Sequence, residues 1–309
     1  MIEKINFKGC LGIRLENKFL QAVILPYLGG KVASLYRKDK TFELLFQNKS
    51  DTYRKPKLHD SFADYDAAGF DDAFPSIDAD QVIYKKWSLS YPDHGEIWSA
   101  KFKYSIVDEA VVLTYQSRLF RYMYCKKLWL QGNRLCCEYD IKNTGSETFP
   151  CIWAMHCLIR CEENMELIFP QGTNHVINVQ TSDFLGNIGN VYPYPVAEDL
   201  TGQKFLFNKV KPVSSRITNK YYVLGKIKEG TCGVYYPDHN IRYILFFDTE
   251  KLPYLGFWVT AGGFRGDYNC ALEPTNGFYD NIETAKKNNK LYFLPPGNTL
   301  HFSLQMELK

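Results

Sequence analysis

The sequence consists largely of short runs of strand-forming residues that are separated by turn-forming residues. Residues 101–107 alternate polar and apolar side chains at period two, and residues 110–115 do so in part. Asp108 and Glu109 lie between these runs and predict a hairpin turn, and residues 143–146 predict another turn. No regular alternation of strands with helices is visible. The pattern therefore predicts an all-β protein that is built as one large antiparallel sandwich.

Helical and linker signals are few. Residues 282–287 are predicted to form a short helix that is capped by Asp280 or Asn281. Residues 51–68 are polar, and the stretch is long enough to form a functional loop or lid. Because no repeat, low-complexity segment or linker interrupts the chain, we expect residues 1–309 to form a single domain.

The charges are balanced along the chain. The sequence has 37 Lys and Arg residues against 34 Asp and Glu residues, a net charge of +3, without a long basic run. Nucleic acid and membrane surfaces are therefore not expected as partners. The N-terminus shows no signal peptide, and no apolar run reaches the roughly 20 residues of a membrane-spanning helix. We expect a cytoplasmic protein. Aromatic residues make up 16% of the chain, which suits both strands and carbohydrate sites.

The nine cysteines do not form a recognisable disulfide framework. Their number is odd, and Cys136 and Cys137 are adjacent, which favours reduced thiols and agrees with a cytosolic location. Cys157 and Cys161 lie close to a histidine, so a zinc site was one interpretation. The chain has no Cys-x-x-Cys pair, however, and buried structural thiols are the favoured interpretation. No metal is expected.

Two histidines lie in very different local sequences. His94 is part of a Pro-Asp-His-Gly-Glu turn, and Ile97 and Trp98 after it predict the start of a strand. It is either a site residue at the end of a strand or an ordinary turn histidine. His156 lies in the apolar run 151–159, where burying an imidazole requires hydrogen-bond partners. It is either a satisfied core residue or a catalytic group.

One carboxylate lies at the predicted end of an apolar strand. Glu273 precedes Pro274, which is expected to end the strand because proline cannot donate to the ladder. Glu273 is either a positioned base or a solvated strand-end residue. Together with His94 and His156, it offers the acid and the base that a metal-free proton-transfer enzyme acting on a sugar needs.

Other polar and aromatic residues suit a sugar site less specifically. Asp71 and Asp72 form an acidic turn between aromatic residues and are either hydroxyl acceptors or exposed turn residues. Trp258 and Phe264 are candidates for stacking on a sugar ring, although core packing is the commoner role of a strand tryptophan. Lys220 is a further candidate for binding a hydroxyl or an anion, with a solvated lysine as the default interpretation.

Seven segments occur in an informative order: 25–35, 69–75, 93–98, 153–156, 252–258, 271–275 and 294–297. Taken together they resemble the aldose 1-epimerase, or galactose mutarotase-like, family over nearly the whole chain. The resemblance implies a large antiparallel β-supersandwich with a sugar in an open groove on one sheet. It implies interconversion of α and β anomers without a cofactor or metal, in a monomer or weak homodimer whose partner is a small-molecule sugar.

The resemblance also assigns roles to residues. It implies that Glu273 is the general base that removes the proton of the anomeric hydroxyl, and that His156 is the general acid that protonates the ring oxygen. It implies that His94 binds and orients the sugar. Four further residues are expected to bind the substrate: Asp71, Asp72, Glu96 and Trp258.

The chain departs from the family's pattern at one point. Galactose mutarotases carry an arginine shortly after the Phe-Pro segment, whereas Phe74 and Pro75 are followed here by Ser-Ile-Asp. The chain therefore resembles a divergent branch, the preferred sugar stays open, and the lack of an arginine cluster disfavours a sugar phosphate. Two other functions remain alternatives. One is a carbohydrate-binding protein without catalysis, and the other is a glycosidase-like hydrolase that uses Asp72 and Glu273.

Overall fold

The computed structural model describes residues 1–65, 67–84 and 87–309. Residue 66, within the predicted loop 51–68, lies outside the described residues. The first thirteen strands are β1 (Ile2–Phe7), β2 (Cys10–Glu16), β3 (Leu20–Leu25), β4 (Lys31–Arg37), β5 (Phe42–Glu43), β6 (Gly69–Ala73), β7 (Asp80–Tyr84), β8 (Trp87–Tyr91), β9 (Lys103–Val107), β10 (Ala110–Gln116), β11 (Tyr122–Gln131), β12 (Arg134–Asn143) and β13 (Phe149–Cys151).

The later strands include the ones that carry most of the candidate site residues. They are β14 (Ala154–Arg160), β15 (Glu166–Ile168), β16 (His175–Asn178), β17 (Val191–Pro193), β18 (Val196–Glu198), β19 (Lys204–Leu206), β20 (Ile217–Val223), β21 (Thr231–Tyr236), β22 (Ile241–Phe247), β23 (Tyr254–Ala261), β24 (Tyr268–Thr275), β25 (Tyr292–Leu294) and β26 (Thr299–Leu308). The all-β prediction is confirmed.

Helical structure in the described residues is confined to short elements. The α-helix α1 (Ile282–Lys287) follows Asn281, whose side chain accepts a hydrogen bond from the Thr284 N–H at 2.8 Å. The predicted helix and its Asn281 cap are therefore confirmed, because this side chain satisfies one of the free N–H groups of the first turn. Single 3-10 turns occupy Lys38–Lys40, Phe62–Asp64, Ile97–Ser99, Val213–Ser215 and Pro237–His239.

Two large antiparallel sheets form the sandwich. The larger has twelve strands in the order β1-β2-β3-β4-β6-β14-β24-β23-β20-β16-β17, with β5 pairing with β4. The smaller has eight strands in the order β15-β21-β22-β26-β12-β11-β10-β9. The centre of the larger sheet thus brings together β6, β14, β24 and β23, which are far apart in the sequence.

Alternation along these central strands separates two apolar regions. On β14, Cys157 and Ile159 belong to the main core, which also draws on strands of the smaller sheet, including Tyr139 and Phe302. Leu158, the residue between them, packs instead into a second cluster with Phe62, Ala67, Trp98 and Ala271 on the outer face of the larger sheet. The period-two pattern therefore buries both faces of the larger sheet, and the outer face carries the candidate site.

Local expectations failed at three places. Ile97 and Trp98 lie in a 3-10 turn and not in a strand. The apolar run at 151–159 is divided between β13 and β14, which belong to different sheets. β24 continues through Pro274 to Thr275, so proline does not end this strand. The β14–β24 pairing has a gap beside Pro274, between Ala154 and Ile159, where a missing N–H is tolerated.

Candidate active site

A cavity of about 400 Å³ lies on the outer face of the larger sheet. Cavities of this size are typical of small-molecule sites. Its lining residues come from β14, β20, β23, β24 and the loops that cover them: Phe62, Ala63, Ala67, Ile77, Asp78, Asp93, His94, His156, Leu158, Val179, Gln180, Thr218, Lys220, Trp258, Phe264, Glu273 and Asp280. The cavity therefore brings together four predicted site residues, which are His94, His156, Trp258 and Glu273.

His156 and Glu273 reach the cavity from neighbouring strands. Ala154 on β14 lies opposite Thr275 on β24, and the same register holds at the other end of the pair. This register puts His156 opposite Glu273, and both residues line the cavity. The two strands pair at both ends of this stretch and not within it, so His156 and Glu273 lie across a gap in the ladder. An imidazole and a carboxylate are thus neighbours on the floor of the cavity.

A tight turn holds His94 beside the other histidine. The backbone φ of His94 is +56°, and that of Gly95 is +73°. The ring of His94 stacks on Phe62 with centroids 4.1 Å apart and meets the ring of His156 edge-on at 4.7 Å. Its Nδ1 lies 2.7 Å from Asp93 Oδ1, which fixes the ring and leaves the other ring nitrogen for a ligand.

Aromatic side chains form the walls of the cavity. Phe62 packs edge-on against His156 with centroids 4.8 Å apart, and Trp258 packs edge-on against Phe264 at 6.3 Å. Trp258 and Phe264 are only partly buried, so their rings contribute accessible apolar surface. An apolar wall beside convergent polar groups suits the mixed surface of a sugar, whose ring carbons are apolar and whose hydroxyls are polar.

Lys220, which the sequence offered as a candidate for binding a hydroxyl or an anion, lines the cavity together with Asp280, which the sequence offered only as a helix cap. The Lys220 ammonium lies 3.3 Å from Glu273 Oε2 and 3.0 Å from Asp280 Oδ2. Asp280 Oδ1 in turn accepts a hydrogen bond from the Tyr222 hydroxyl at 2.6 Å. Positions 218, 220 and 222 of β20 share one face, and the aromatic neighbour at 222 was the available signal that Lys220 faces inward.

Burial acts in opposite directions on the two acid-base groups. It raises the pKa of Glu273, and the Lys220 ammonium counteracts this rise. Burial lowers the pKa of His156 well below its ordinary value, and positive charge on His94, Lys220 and Lys31 reinforces the effect. The Nδ1 atom of His156 has no hydrogen-bond partner in the described part of the chain. Burial therefore favours the uncharged form of both groups, and the Lys220 ammonium opposes this at Glu273 and reinforces it at His156.

A carboxylate also lies close to the point where the resemblance suggested an arginine. Asp78 follows the Phe74–Pro75 segment and lines the cavity. Burial raises the pKa of Asp78 to about 6, and the negative charge of the neighbouring Asp280 adds to the rise. The polar side of the cavity is consequently richer in hydrogen-bond acceptors than the resemblance implied.

Asp71 and Asp72 lie outside the cavity lining. Asp71 is buried and pairs with Lys31, whose ammonium group covers it. Asp72 points between the two sheets, where it forms a buried ion pair with Lys126 at 3.0 Å and accepts a hydrogen bond from the Tyr139 hydroxyl at 3.0 Å. The prediction of an exposed acidic turn is wrong, because both carboxylates are buried against lysines and neither lines the cavity. Asp72 points away from the cavity, whereas Asp71 lies opposite His156 and is covered by Lys31.

Glu96 is likewise turned away from the cavity. Its two carboxylate oxygens accept hydrogen bonds from the Tyr115 hydroxyl at 2.6 Å and the Tyr122 hydroxyl at 2.8 Å. It is buried and does not line the cavity. The expected sugar contact is therefore replaced by an internal contact that ties the His94 turn to β10 and β11.

Comparison with solved structures identifies the fold. A galactose mutarotase-like protein from Lactobacillus casei aligns over 96% of this chain and 100% of its own, with a TM-score of 0.72 and 18% identity. A candidate aldose 1-epimerase from Escherichia coli aligns over 96% and 98% with a TM-score of 0.70 and 16% identity. A galactose mutarotase-related enzyme from Lactobacillus acidophilus aligns over 96% and 97% with a TM-score of 0.70 and 15% identity.

The chain has the galactose mutarotase-like fold. No protein-family profile matches the sequence, and no curated protein matches it. At such identities the likeness concerns the fold, so the activity has to be argued from the cavity. The expectation of a β-supersandwich with a groove on one sheet is confirmed as far as the fold is concerned.

Three findings bear on other classes of site. Among the described residues, no group of three or more His, Cys, Asp and Glu side chains is arranged to hold a metal ion. The eight cysteines from Cys125 to Cys270 are free thiols, and six of them are buried in the core. Within the described ranges, no helix combines the length and the apolar character needed to cross a membrane.

Proposed function

We propose that this protein is an aldose 1-epimerase that interconverts the α and β anomers of a sugar. The observation that carries the proposal is the opposition of His156 and Glu273 on the floor of a cavity with aromatic walls. The galactose mutarotase-like fold supports it, because some proteins with this fold carry aldose epimerase or mutarotase names. The two groups supply the proton acceptor and the proton donor that opening a sugar ring requires.

The proposed reaction moves two protons. Glu273 takes the proton of the anomeric hydroxyl while His156 gives a proton to the ring oxygen, and the bond between C1 and the ring oxygen breaks. The free aldehyde then turns about the C1–C2 bond. On closure from the other face the protons return, with Glu273 as the acid and His156 as the base. Both groups end in their starting forms.

Other cavity residues would hold the sugar for this reaction. The ring nitrogen of His94 that does not face Asp93 is placed to bind a sugar oxygen. Trp258 and Phe264 would pack on the apolar side of the ring, and Asp78 would accept hydrogen bonds from hydroxyls. Holding the ring between fixed groups lowers the entropy cost of reaching the reactive geometry.

Polarimetry on a panel of freshly dissolved aldoses tests the proposal. The wild-type protein is expected to speed the approach to the equilibrium rotation of at least one sugar. Glu273→Gln is expected to lose most of this acceleration, and Glu250→Gln on the surface should keep it. If the wild type and Glu273→Gln relax every sugar at the rate of buffer alone, the proposal is rejected.

The alternatives give different results in the same assay. A carbohydrate-binding protein would show sugar affinity by calorimetry with no acceleration, and its affinity would survive His156→Gln. A hydrolase that uses Asp72 with Glu273 is not supported, because the Asp72 carboxylate lies between the sheets on Lys126 and away from the cavity. It would have to release products from chromogenic glycosides.

A further inference from the structure

Lys220 is an unusual lysine for a cavity wall. Only 12% of its side chain is exposed, and its ammonium group contacts two carboxylates, Glu273 at 3.3 Å and Asp280 at 3.0 Å. A lysine this buried requires partners, because transfer of an ammonium ion out of water is costly. The two acidic neighbours provide them, and one of these neighbours is the proposed base.

A glycine makes this contact possible across a strand. β23 lies between β20 and β24, and Gly256 of β23 lies opposite both Tyr222 and Glu273. A Cβ atom at position 256 would lie 3.3 Å from Glu273 Oε2 and 3.0 Å from the Tyr222 ring. Gly256 therefore keeps the strip between the two strands open.

Asp280 fixes the position of the lysine. One of its carboxylate oxygens accepts a hydrogen bond from the Tyr222 hydroxyl at 2.6 Å, and the other contacts the Lys220 ammonium. Lysine has a long, flexible side chain, so a single partner would not define its position. The chain of contacts from Tyr222 through Asp280 and Lys220 ends at the carboxylate of Glu273.

The charges around Glu273 give the lysine a specific role. The titratable groups that face this carboxylate are Lys220 and Tyr222 on β20, His156 on β14, His94 on its turn and Asp280 on the loop after β24. Asp280 and burial favour the protonated carboxylic acid, which cannot act as a base. The two carboxylates raise the pKa of Lys220, so its protonated amine is not available to form an imine with an open-chain aldehyde.

We propose that Lys220, anchored by Asp280 and Tyr222, is a positioning residue that keeps the Glu273 carboxylate ionised and aimed at the sugar. The expected effect on kcat/KM rests on the proposed function, because the ionisation of Glu273 affects the rate only if Glu273 is the catalytic base. The contact itself concerns the protein alone and can be measured without a substrate.

The kinetic test uses the sugar that the wild type converts fastest. In Lys220→Met, kcat/KM is expected to fall about 10- to 100-fold at neutral pH, and the acid limb of its pH profile is expected to move up by about one pH unit or more. Lys220→Arg keeps the charge and should keep the limb close to that of wild type. Lys209→Met, which removes a surface lysine paired with Glu166, should change neither quantity. An unmoved acid limb in Lys220→Met would overturn the inference.

A direct titration separates this inference from the proposed function. The carboxyl carbon of Glu273 can be followed by NMR in protein labelled at glutamate, with Glu273→Gln to assign the signal. The titration midpoint is expected to rise in Lys220→Met and to rise less in Tyr222→Phe, which removes the hydrogen bond that holds Asp280 and so loosens the lysine. If the wild type converts no sugar, the proposed function fails, and this titration still decides the role of Lys220. If Lys220→Met does not fold, Lys220→Gln and Tyr222→Phe are titrated, and unchanged midpoints overturn the inference.

Discussion

At the scale of single residues, His156 is the most informative position. It lies in an apolar strand, which marked it in the sequence as either core or catalytic. In the structure it is 8% exposed, its Nδ1 has no partner among the described residues, and its ring touches those of His94 and Phe62. A histidine kept only for packing would be expected to satisfy both ring nitrogens. The unsatisfied atom suits a group that completes its hydrogen bonds with a ligand.

The opposing pKa shifts predict the pH dependence of activity. Catalysis requires ionised Glu273 and protonated His156. Burial raises the pKa of Glu273 above 4.5 and lowers that of His156 below 6.5. Activity should therefore rise as Glu273 loses its proton and fall as His156 loses its own, which gives a narrow bell with its maximum on the acid side of pH 7.

The measurement is kcat/KM against pH for the best sugar of the panel. In Lys220→Met both limbs should move to higher pH, because the Lys220 ammonium lowers the pKa of Glu273 and that of His156. A profile that stays flat from pH 6 to pH 9 would show that protonated His156 is not required, and it would leave the neutral imidazole as a hydrogen-bond donor only.

The sequence predicted some site residues and misplaced others for identifiable reasons. His156 and Glu273 were found because each is a titratable group in an apolar strand. The sequence favours a solvated Lys220, since the register of three strands that brings it to Glu273 is not visible in a single sequence. Asp71 and Asp72 were placed at the sugar because interior lysines from distant strands, which hold both carboxylates, could not be foreseen.

At the scale of elements, the turn that carries His94 depends on one glycine. Gly95 has φ +73°, and a Cβ atom there would lie 2.1 Å from the carbonyl of Phe74. Gly132, in the β11–β12 hairpin, has φ +59° with nothing within 4 Å of the same position. Alanine at Gly132 would lose stability only through the left-handed backbone, whereas alanine at Gly95 would also clash with the Phe74 carbonyl.

Substitution of the two glycines by alanine is expected to give unequal effects. Gly132→Ala should lower the free energy of unfolding by about 1 kcal/mol, and Gly95→Ala by a larger amount on the order of 3 kcal/mol. Only Gly95→Ala should also reduce activity, because it displaces His94. Denaturant unfolding and polarimetry measure both quantities. Equal stability losses would refute the close packing of this turn.

Strand boundaries were predicted well where alternation was clean and poorly where tertiary contacts override it. The partly alternating run at 110–115 matches β10, which covers Ala110–Gln116. The proline in β24 is tolerated because its neighbour β14 lacks ladder pairing there. Ile97 and Trp98 form a 3-10 turn because the N–H groups of Glu96 and Ile97 bond the Phe74 carbonyl and not a neighbouring strand.

At the scale of the whole molecule, the class of fold followed from period-two alternation, whereas the order of strands did not. A sandwich needs strands that are apolar on the inner face, and this signal is local. The central order β6-β14-β24-β23 joins segments that are distant in the chain, and nothing local specifies it. The resemblance to a known family supplied that information, and the solved structures with the same fold support it.

The Asp72–Lys126 pair joins the two sheets and should matter for stability more than for activity. Both side chains are completely buried. Asp72→Asn leaves the lysine without a counter-charge and is expected to cost about 3–5 kcal/mol of unfolding free energy. Glu166→Gln, which breaks the exposed pair with Lys209, should cost about 1 kcal/mol or less.

Denaturant unfolding measures the loss, and polarimetry on the folded protein measures activity. Asp72→Asn should keep the activity per folded molecule near that of wild type, since Asp72 does not line the cavity. A specific loss of sugar binding without a loss of stability would restore the role in the sugar site that the sequence suggested.

In the proposed mechanism His156 and Glu273 act as one proton-transfer pair. Magnetisation exchange between the anomeric protons of a sugar at equilibrium measures this directly, in wild type, in each single variant (His156→Gln and Glu273→Gln) and in the double variant. We expect an exchange rate proportional to the concentration of wild-type protein, a loss of about 10²- to 10⁴-fold in either single variant, and little further loss in the double variant. Exchange that is no faster than buffer in wild type, or independent losses that multiply in the double variant, would contradict it.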